Sequence, residues 1–228
     1  MDYKRFQERL FVEADEGYRD FVSKGLMTER PLLGVRIPKC REIAKEVLAG
    51  KYGGVEDFLK NQPMSFEEVI ICGFVIASLP YDKMKEKLFD FVQLIDSWEI
   101  CDCFCATLKS VKKNRDDFLN VIDKLLDMSE FSTRVALVCL MDYYLAPEYL
   151  MVVFDRIMRV KDRTEYYVKM GVAWLMATSF AKFPEETMNF FMTAELPKWT
   201  HNKTISKACE SYRVDKDLKE ELKKLKQI

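Results

Sequence analysis

The stretch Asp96–Cys105, D-S-W-E-I-C-D-C-F-C, places an indole and a carboxylate where they can act together. Trp98 and Asp102 are four residues apart, and residues at this spacing lie on the same face of a helix. A carboxylate beside an indole is either a structural ion-pair partner or a working acid. As a working group it can stabilise positive charge on a bound molecule and orient a water molecule.

The helix that must position this pair is predicted from its apolar pattern. Apolar residues at 98, 101, 104, 105 and 108 form a stripe that we expect to be buried, with Asp102 at its edge. The segment Asp96–Glu99 is similar to a capping box, and the helix is predicted to continue to about Lys112. Taken alone, a Trp on such a stripe is usually part of the core.

Helices are predicted along the whole chain, because the 228 residues include only 8 Gly and 7 Pro and little strand-like alternation. The first helix is predicted over residues 2–22, and another begins at Pro38. Helix pairs then begin near residues 65, 97, 130, 165 and 200, at a period of roughly 32 to 35 residues. Stacked antiparallel pairs predict an all-α fold, an α-solenoid of HEAT-like or ARM-like repeats with a concave groove.

This pattern predicts one domain over residues 1–228. N-terminal helices at residues 1–60 precede about five helix pairs between residues 65 and 227. A solenoid of this kind suits a scaffold as well as an enzyme, so the fold alone does not decide the function.

The charge balance gives no overall nucleic-acid signature, since 36 basic and 37 acidic side chains leave a formal net charge of −1. The basic residues nevertheless cluster in a few segments, and a neutral total can contain a positive groove. The sequence has no apolar run long enough to span a membrane and no signal-peptide region at its start. We therefore expect a cytoplasmic protein with no membrane partner.

The seven cysteines are an odd number, and Cys72, Cys101, Cys105 and Cys139 lie in apolar helical patterns. This favours buried reduced thiols in a reducing compartment. The C-x-C-x-C at residues 101–105 invites a metal site, but on a helix its middle thiol points away from the other two. The single histidine is distant in sequence. We predict no metal and no cofactor.

Several segments in order resemble one family: Ser97–Asp102, Arg134, Val168–Trp174 and Trp199–Ala208, with Gly34–Pro38 and Arg41–Lys45 near the start. Over nearly its whole length the chain resembles the DNA alkylation repair family, the AlkD-like HEAT-repeat DNA glycosylases. The resemblance implies excision of cationic N3- and N7-alkylated purines from double-stranded DNA. Members of this family work without flipping the base into a pocket, unlike most glycosylases.

The resemblance also implies roles for four residues. Trp98 and Trp174 correspond to the two aromatic residues that line the lesion cleft, and Asp102 corresponds to the catalytic carboxylate. Arg134 corresponds to an arginine of the following repeat that contacts the DNA backbone. The chain departs from the family in its overall charge, which is lower than a duplex-binding surface would suggest.

Two further segments are candidate DNA contacts. Where one helix gives way to the next, the basic residues are Lys109, Lys112, Lys113 and Arg115, which either contact phosphate or form a solvated turn. At a later helix N-terminus, where a phosphate can bind, the candidates are Trp199, Thr200, His201, Asn202 and Lys203. For Thr200 and Trp199, capping and core packing are the alternatives. Weaker candidates for phosphate contact are Arg156, Arg159, Lys161 and Arg163.

The sequence therefore predicts a monomeric, metal-free DNA glycosylase that acts on alkylated purines. Two other functions fit the same fold. One is a DNA-structure-binding paralogue without glycosylase activity, and the other is a protein-interaction scaffold with no nucleic-acid role.

Overall fold

The regular elements of the chain are helices, as predicted. The computed structural model describes residues 2–227, and within that range it contains fourteen α-helices and no β-strand. The chain divides after Ser110 into two compact units. The all-α class is thus confirmed, whereas the concave groove of a single solenoid domain stays a prediction.

The first unit is built around one helix that is buried along its entire length, Phe66–Ala77. The helices of this unit are α1 (Asp2–Val12), α2 (Glu16–Val22), α3 (Ile37–Leu48), α4 (Val55–Leu59), α5 (Phe66–Ala77), α6 (Tyr81–Val92) and α7 (Trp98–Cys105). Helix α5 packs against α3, α6 and α7. The predicted capping box opens it, because Ser65 and Glu68 exchange side-chain and backbone hydrogen bonds of 3.2 and 2.9 Å.

The second unit is a stack of helical pairs. Its helices are α8 (Arg115–Leu126), α9 (Glu130–Tyr143), α10 (Leu150–Val160), α11 (Tyr166–Lys182), α12 (Pro184–Thr193), α13 (Lys198–Glu210) and α14 (Lys216–Lys224). Helix α11 packs between α9 and α13, while α8, α12 and α14 each pack on one of these three. We call α5, α7, α9, α11 and α13 the repeat helices; they begin at residues 66, 98, 130, 166 and 198. Their spacing confirms the predicted period.

The single helix predicted over residues 2–22 is wrong, because the chain forms α1 and α2 instead. The break follows from Asp15, whose carboxylate accepts a hydrogen bond of 2.9 Å from the backbone N–H of Tyr18. An aspartate in this position satisfies an otherwise unpaired N–H and begins a new helix.

Helix α7 is also shorter than predicted, since it ends at Cys105 rather than near Lys112. The hydroxyl of Thr107 donates to the carbonyl of Cys103 at 2.8 Å, a local bond that competes with continuation of the helix. The basic segment Lys109–Lys113 forms a separate 3-10 helix.

The capping box predicted at Asp96–Glu99 is likewise corrected. The N-cap is Ser97, whose hydroxyl accepts from the N–H of Ile100 at 3.4 Å. Asp96 instead accepts a 2.8 Å hydrogen bond from the hydroxyl of Thr28.

All seven cysteines carry reduced thiols, and the four predicted to be buried are buried. In the part of the chain that the structure describes, no helix combines the length and apolar character needed to cross a bilayer.

Candidate functional site

Helix α7 holds Trp98 and Asp102 at the rim of its buried face. The side chains that pack inward from this helix are Ile100, Cys101, Phe104 and Cys105. Trp98, the first residue of the helix, is 40% exposed, and Asp102 is half-buried. The expectation that Trp98 belongs to the buried stripe is therefore wrong, because the inward face of the helix is centred roughly a quarter of the way around the helix axis from it. An indole at this rim can contact a ligand.

Glu99 is a second carboxylate on the same helix, which the sequence analysis did not single out. It is half-buried, and it lines a small pocket together with Tyr18 and Glu67. Burial raises the pKa of Glu99 above its ordinary value, and the neighbouring carboxylates Glu67 and Asp102 raise it further. Its spacing of three residues from Asp102 is the signal that could have identified it. The exposed end of α7 is therefore a region of negative potential.

A buried carboxylate, Glu67 of α5, fixes the loop in front of α3. It accepts backbone N–H bonds from Leu33, Gly34 and Val35, the shortest of them 2.7 Å from Gly34. Gly34 has φ +85°, and a Cβ atom there would lie 2.9 Å from Cβ of Arg19 and would overlap the carbonyl oxygen of Asp15. Only glycine fits this conformation and this close approach to α2.

Tyr18 and Arg36 form a stacked pair beside this loop. The guanidinium carbon of Arg36 lies 4.3 Å from the ring centre of Tyr18, and Arg36 also pairs with Asp15 at 3.5 Å. Burial raises the pKa of Tyr18, and the nearby Glu99 adds to this effect. No spacing in the sequence links residues 18 and 36, so only the structure identifies this pair.

Arg41, from the second N-terminal motif, ties α3 to the end of α7. Its guanidinium lies 4.0 Å over the ring of Phe74 and donates a 3.0 Å hydrogen bond to the hydroxyl of Thr107. Because Thr107 also binds the Cys103 carbonyl, this arginine fixes the turn that follows α7.

In the second unit, Arg134 of α9 lies beside Trp174 of α11. The guanidinium carbon is 5.9 Å from the indole centre and 5.8 Å from the ring centre of Tyr167. Arg134 is only 5% exposed, whereas Trp174 is 37% exposed. Gly171 permits the close packing of α11 on α9 at this point, since a Cβ atom there would lie 2.9 Å from Leu137. The arginine is thus placed to orient the two rings.

Trp199 of α13 is also exposed, to 39%, so core packing does not account for it. Its ring meets that of Tyr166 edge-on with centroids 5.9 Å apart, and the ammonium of Lys169 lies 4.7 Å from its centre. An open groove of about 510 Å³ runs along α13 and is lined by Lys198, Trp199, Asn202, Lys203 and Ser206.

Three neighbours of Trp199 have other roles. Thr200 is buried, and His201 stacks on Phe191 while its Nε2 lies 2.8 Å from the carbonyl oxygen of Leu225. The side chain of Asn202 exchanges two hydrogen bonds with the backbone of Gln227. His201 and Asn202 thus hold residues 225–227 against α13, and Thr200 is inaccessible, so we do not retain these three as phosphate contacts.

The weaker basic candidates link successive repeats of the second unit. Arg156 and Arg159 both pair with Asp123, at 3.0 and 2.5 Å. Arg163 pairs with Glu165, and Lys161 donates to the backbone carbonyl of Ala194 at 3.2 Å. By contrast, the side chains of Lys109, Lys112 and Lys113 are exposed on their 3-10 helix. The basic residues thus form two groups: those already bonded to other residues of the protein, and accessible cations whose charge can meet a ligand.

Each unit therefore brings together part of the predicted site. Trp98 and Asp102 share α7 in the first unit, and Arg134 lies against Trp174 in the second. The cooperation of all four residues at one lesion stays a prediction.

Comparison with known proteins assigns a family to this arrangement. No curated protein matches the chain. The family described as DNA alkylation repair enzyme matches residues 6–212, which is most of the chain and includes Trp98, Asp102, Arg134 and Trp174. The chain therefore belongs to the DNA alkylation repair enzyme family.

Proposed function

We propose that the protein is a DNA glycosylase that excises cationic N3- and N7-alkylated purines from double-stranded DNA. The observation that carries the proposal is the exposed indole of Trp98 one helical turn from Asp102. Family membership supports DNA as the partner, since the family is described as DNA alkylation repair enzyme.

The reaction breaks the bond between C1′ of the deoxyribose and the purine nitrogen. The electron pair of this bond moves to the base, so a cationic alkylpurine leaves as a neutral molecule and needs no general acid. The sugar becomes an oxocarbenium-like cation, water adds to C1′, and the water proton is released. Ionised Asp102 stabilises the sugar cation and orients the water; a preorganised contact of this kind is worth roughly 3 to 4 kcal/mol.

The aromatic residues suit a positively charged lesion. An indole face attracts a cation by about 0.5 to 2 kcal/mol, depending on desolvation. In this proposal Trp98 and Trp174 each offer an indole face to the lesion, as the resemblance implies, and the base is not flipped into a pocket. Arg134 orients Trp174 rather than contacting phosphate, because its side chain is almost completely buried beside that ring.

The electrostatics of α7 support the same substrate class. Glu99 and the buried Glu67 add negative potential near Asp102, which favours a cation over a neutral purine. Alkylation at N3 or N7 supplies that positive charge. Selectivity for damaged bases thus follows from the positive charge of the alkylated purine as well as from the weakness of its glycosidic bond.

Contacts to the DNA backbone are assigned to accessible cations. Lys109, Lys112 and Lys113 are exposed on one 3-10 helix, and Trp199 and Lys203 share a groove on α13. Each lysine that neutralises a phosphate releases condensed counterions, so the affinity should fall with rising salt. The protein acts as a monomer without metal or cofactor.

The test is release of the base from duplex DNA that contains 7-methylguanine or 3-methyladenine, followed by chromatography. The proposal predicts release by the purified protein in the presence of a chelator, and none from undamaged DNA. Absence of release overturns it. The near-neutral net charge of −1 favours a second candidate, a DNA-binding paralogue without activity. That candidate predicts salt-sensitive binding that is indifferent to lesions, with no base released.

A further inference from the structure

An aromatic residue stands in the first turn of each repeat helix of the second unit. These residues are Phe131 in α9, Tyr166 and Tyr167 in α11, and Trp199 in α13. Their rings form consecutive contacts: Phe131 to Tyr167 at 4.9 Å, Tyr167 to Tyr166 at 5.2 Å, and Tyr166 to Trp199 at 5.9 Å between centroids. We call this row the aromatic ladder.

A cation follows three of the four rings by about one helical turn. Arg134 follows Phe131, Lys169 follows Tyr166, and Lys203 follows Trp199. Residues three or four apart share a helical face, so ring and cation repeat together from one repeat to the next. The ladder is most exposed at its last two rings, where Tyr166 of α11 is 55% and Trp199 of α13 is 39% exposed.

Two lysines, Lys169 and Lys203, supply positive charge at this end of the ladder, while the nearby carboxylate of Glu130 accepts a hydrogen bond from the backbone N–H of Tyr167 at 2.6 Å. In the described part of the chain, neither Lys169 nor Lys203 has a carboxylate within ion-pair distance, and no carboxylate lines the α13 groove. Glu210 lies near enough to Lys203 for their charges to interact, but its carboxylate forms an ion pair with Lys207 at 2.8 Å. Exposed rings interleaved with cations, at a spacing set by the fold, are the features of a surface that stacks bases and holds phosphates.

We propose that the Tyr166–Trp199 end of the aromatic ladder binds unpaired nucleotides of DNA. Bases stack on Tyr166 and Trp199, and the connecting phosphates contact Lys169 and Lys203. The inference rests on the proposed function for the choice of DNA as partner, and it shares Trp199 and Lys203 with the backbone contacts proposed above. It adds a second mode of recognition, for the single-stranded segments that accompany damaged or unwound DNA.

The experiment measures binding of an undamaged oligothymidine by fluorescence anisotropy. Its comparison ligand is an oligomer of the same length with abasic sugars, which keeps the phosphates and removes the bases. We expect the wild type to bind oligothymidine about tenfold more tightly than the abasic oligomer, because stacking contributes strongly for each base. Tyr166→Ala and Trp199→Ala should each weaken oligothymidine binding by about tenfold and leave the abasic oligomer nearly unaffected.

The controls separate stacking from charge and from loss of fold. Tyr212→Ala removes another exposed tyrosine outside the ladder and should bind as the wild type does. Lys169→Gln and Lys203→Gln should each reduce the slope of log affinity against log salt by about 0.7 for single strands. Circular dichroism checks that each variant remains helical.

Equal wild-type affinity for the two oligomers would overturn the inference, as would alanine variants that bind oligothymidine like the wild type. The binding assay uses DNA without alkylated bases, so its result does not depend on glycosylase activity. A protein that releases no alkylated base yet shows the ladder-dependent binding would contradict the proposed function and support this inference.

Discussion

The guanidinium of Arg134 lies against the indole of Trp174, 5.9 Å from the ring centre, although these residues belong to different helices of the second unit. The same guanidinium lies 5.8 Å from the ring of Tyr167. A cation within about 6 Å of a ring centre is attracted to it, and the attraction increases when the cation is desolvated. In the proposed mechanism Arg134 is therefore a positioning residue for an exposed tryptophan.

Replacing this arginine should affect chemistry more than affinity. Arg134→Met keeps the approximate length of the side chain and removes its charge. The ring then loses a cation–π attraction of about 1 to 2 kcal/mol, which should lower the rate of base release by roughly 5- to 30-fold. Single-turnover release of 7-methylguanine measures the effect. Affinity for undamaged duplex should remain nearly constant; a large loss of that affinity with unchanged release would assign Arg134 to backbone contact instead.

The two classes of basic residue predict different salt dependences. Lys112→Gln and Lys113→Gln should each reduce the slope of log affinity against log salt by about 0.9 for duplex DNA, since each removes one accessible cation. Arg156→Gln is the matched control, because that arginine already pairs with Asp123 at 3.0 Å. Titrations at several salt concentrations compare the variants. If the Arg156 variant alone changes the slope, the assignment of Arg156 as bonded within the protein and of the lysines as accessible to DNA is wrong.

Gly34 should not tolerate a side chain. Gly34→Ala introduces a Cβ atom at φ +85° that overlaps the carbonyl of Asp15, and the backbone strain alone costs about 1 to 3 kcal/mol. Gly25→Ala is the control, because nothing lies within 4 Å of the added Cβ atom. Urea unfolding measures both. Equal stability of the two variants would show that the loop before α3 relaxes around the new side chain.

Glu99 should make stability depend on pH. Its folded pKa is raised above the ordinary value of 4.5, first by burial and then by Glu67 and Asp102. The folded state therefore binds the proton more tightly than the unfolded state, and stability decreases as pH rises through the ordinary value to the raised one. Glu99→Gln removes this cost of ionisation.

We expect the urea midpoint of Glu99→Gln to exceed that of the wild type at neutral pH. In acid below the ordinary carboxyl pKa, where Glu99 is protonated in both states, the two midpoints should converge. A variant that is less stable than the wild type at neutral pH would indicate that ionised Glu99 has a favourable partner.

Much of the fold follows from local sequence signals. The period of the repeat helices and the capping box at Ser65–Glu68 were predictable because helical spacing and capping depend on residues close in sequence. The division between α1 and α2 was missed because a single Asp15 cap interrupts an otherwise continuous apolar pattern. Short interruptions of this kind are weak signals.

The site was less predictable, because its contacts join residues of different helices. The exposure of Trp98 depends on where α5 covers α7, which periodicity along α7 does not specify. Arg156 pairs with Asp123 of the preceding repeat. Because this acidic partner is distant in sequence, the basic residues around Arg156 resemble a phosphate site when only the sequence is considered. Tyr166 and Trp199 are one repeat apart, and comparing equivalent positions of successive repeats is the signal that could have paired them.

Asp102→Asn keeps the shape of the side chain and removes the negative charge on which the proposed base excision depends. The measurement is the single-turnover rate of 7-methylguanine release from duplex DNA, with DNA affinity and the urea midpoint determined on the same samples. Loss of one preorganised electrostatic contact predicts a rate about 10²- to 10³-fold lower, with affinity and stability close to those of the wild type. Release by the Asn variant at the wild-type rate would rule out this role for the charge of Asp102.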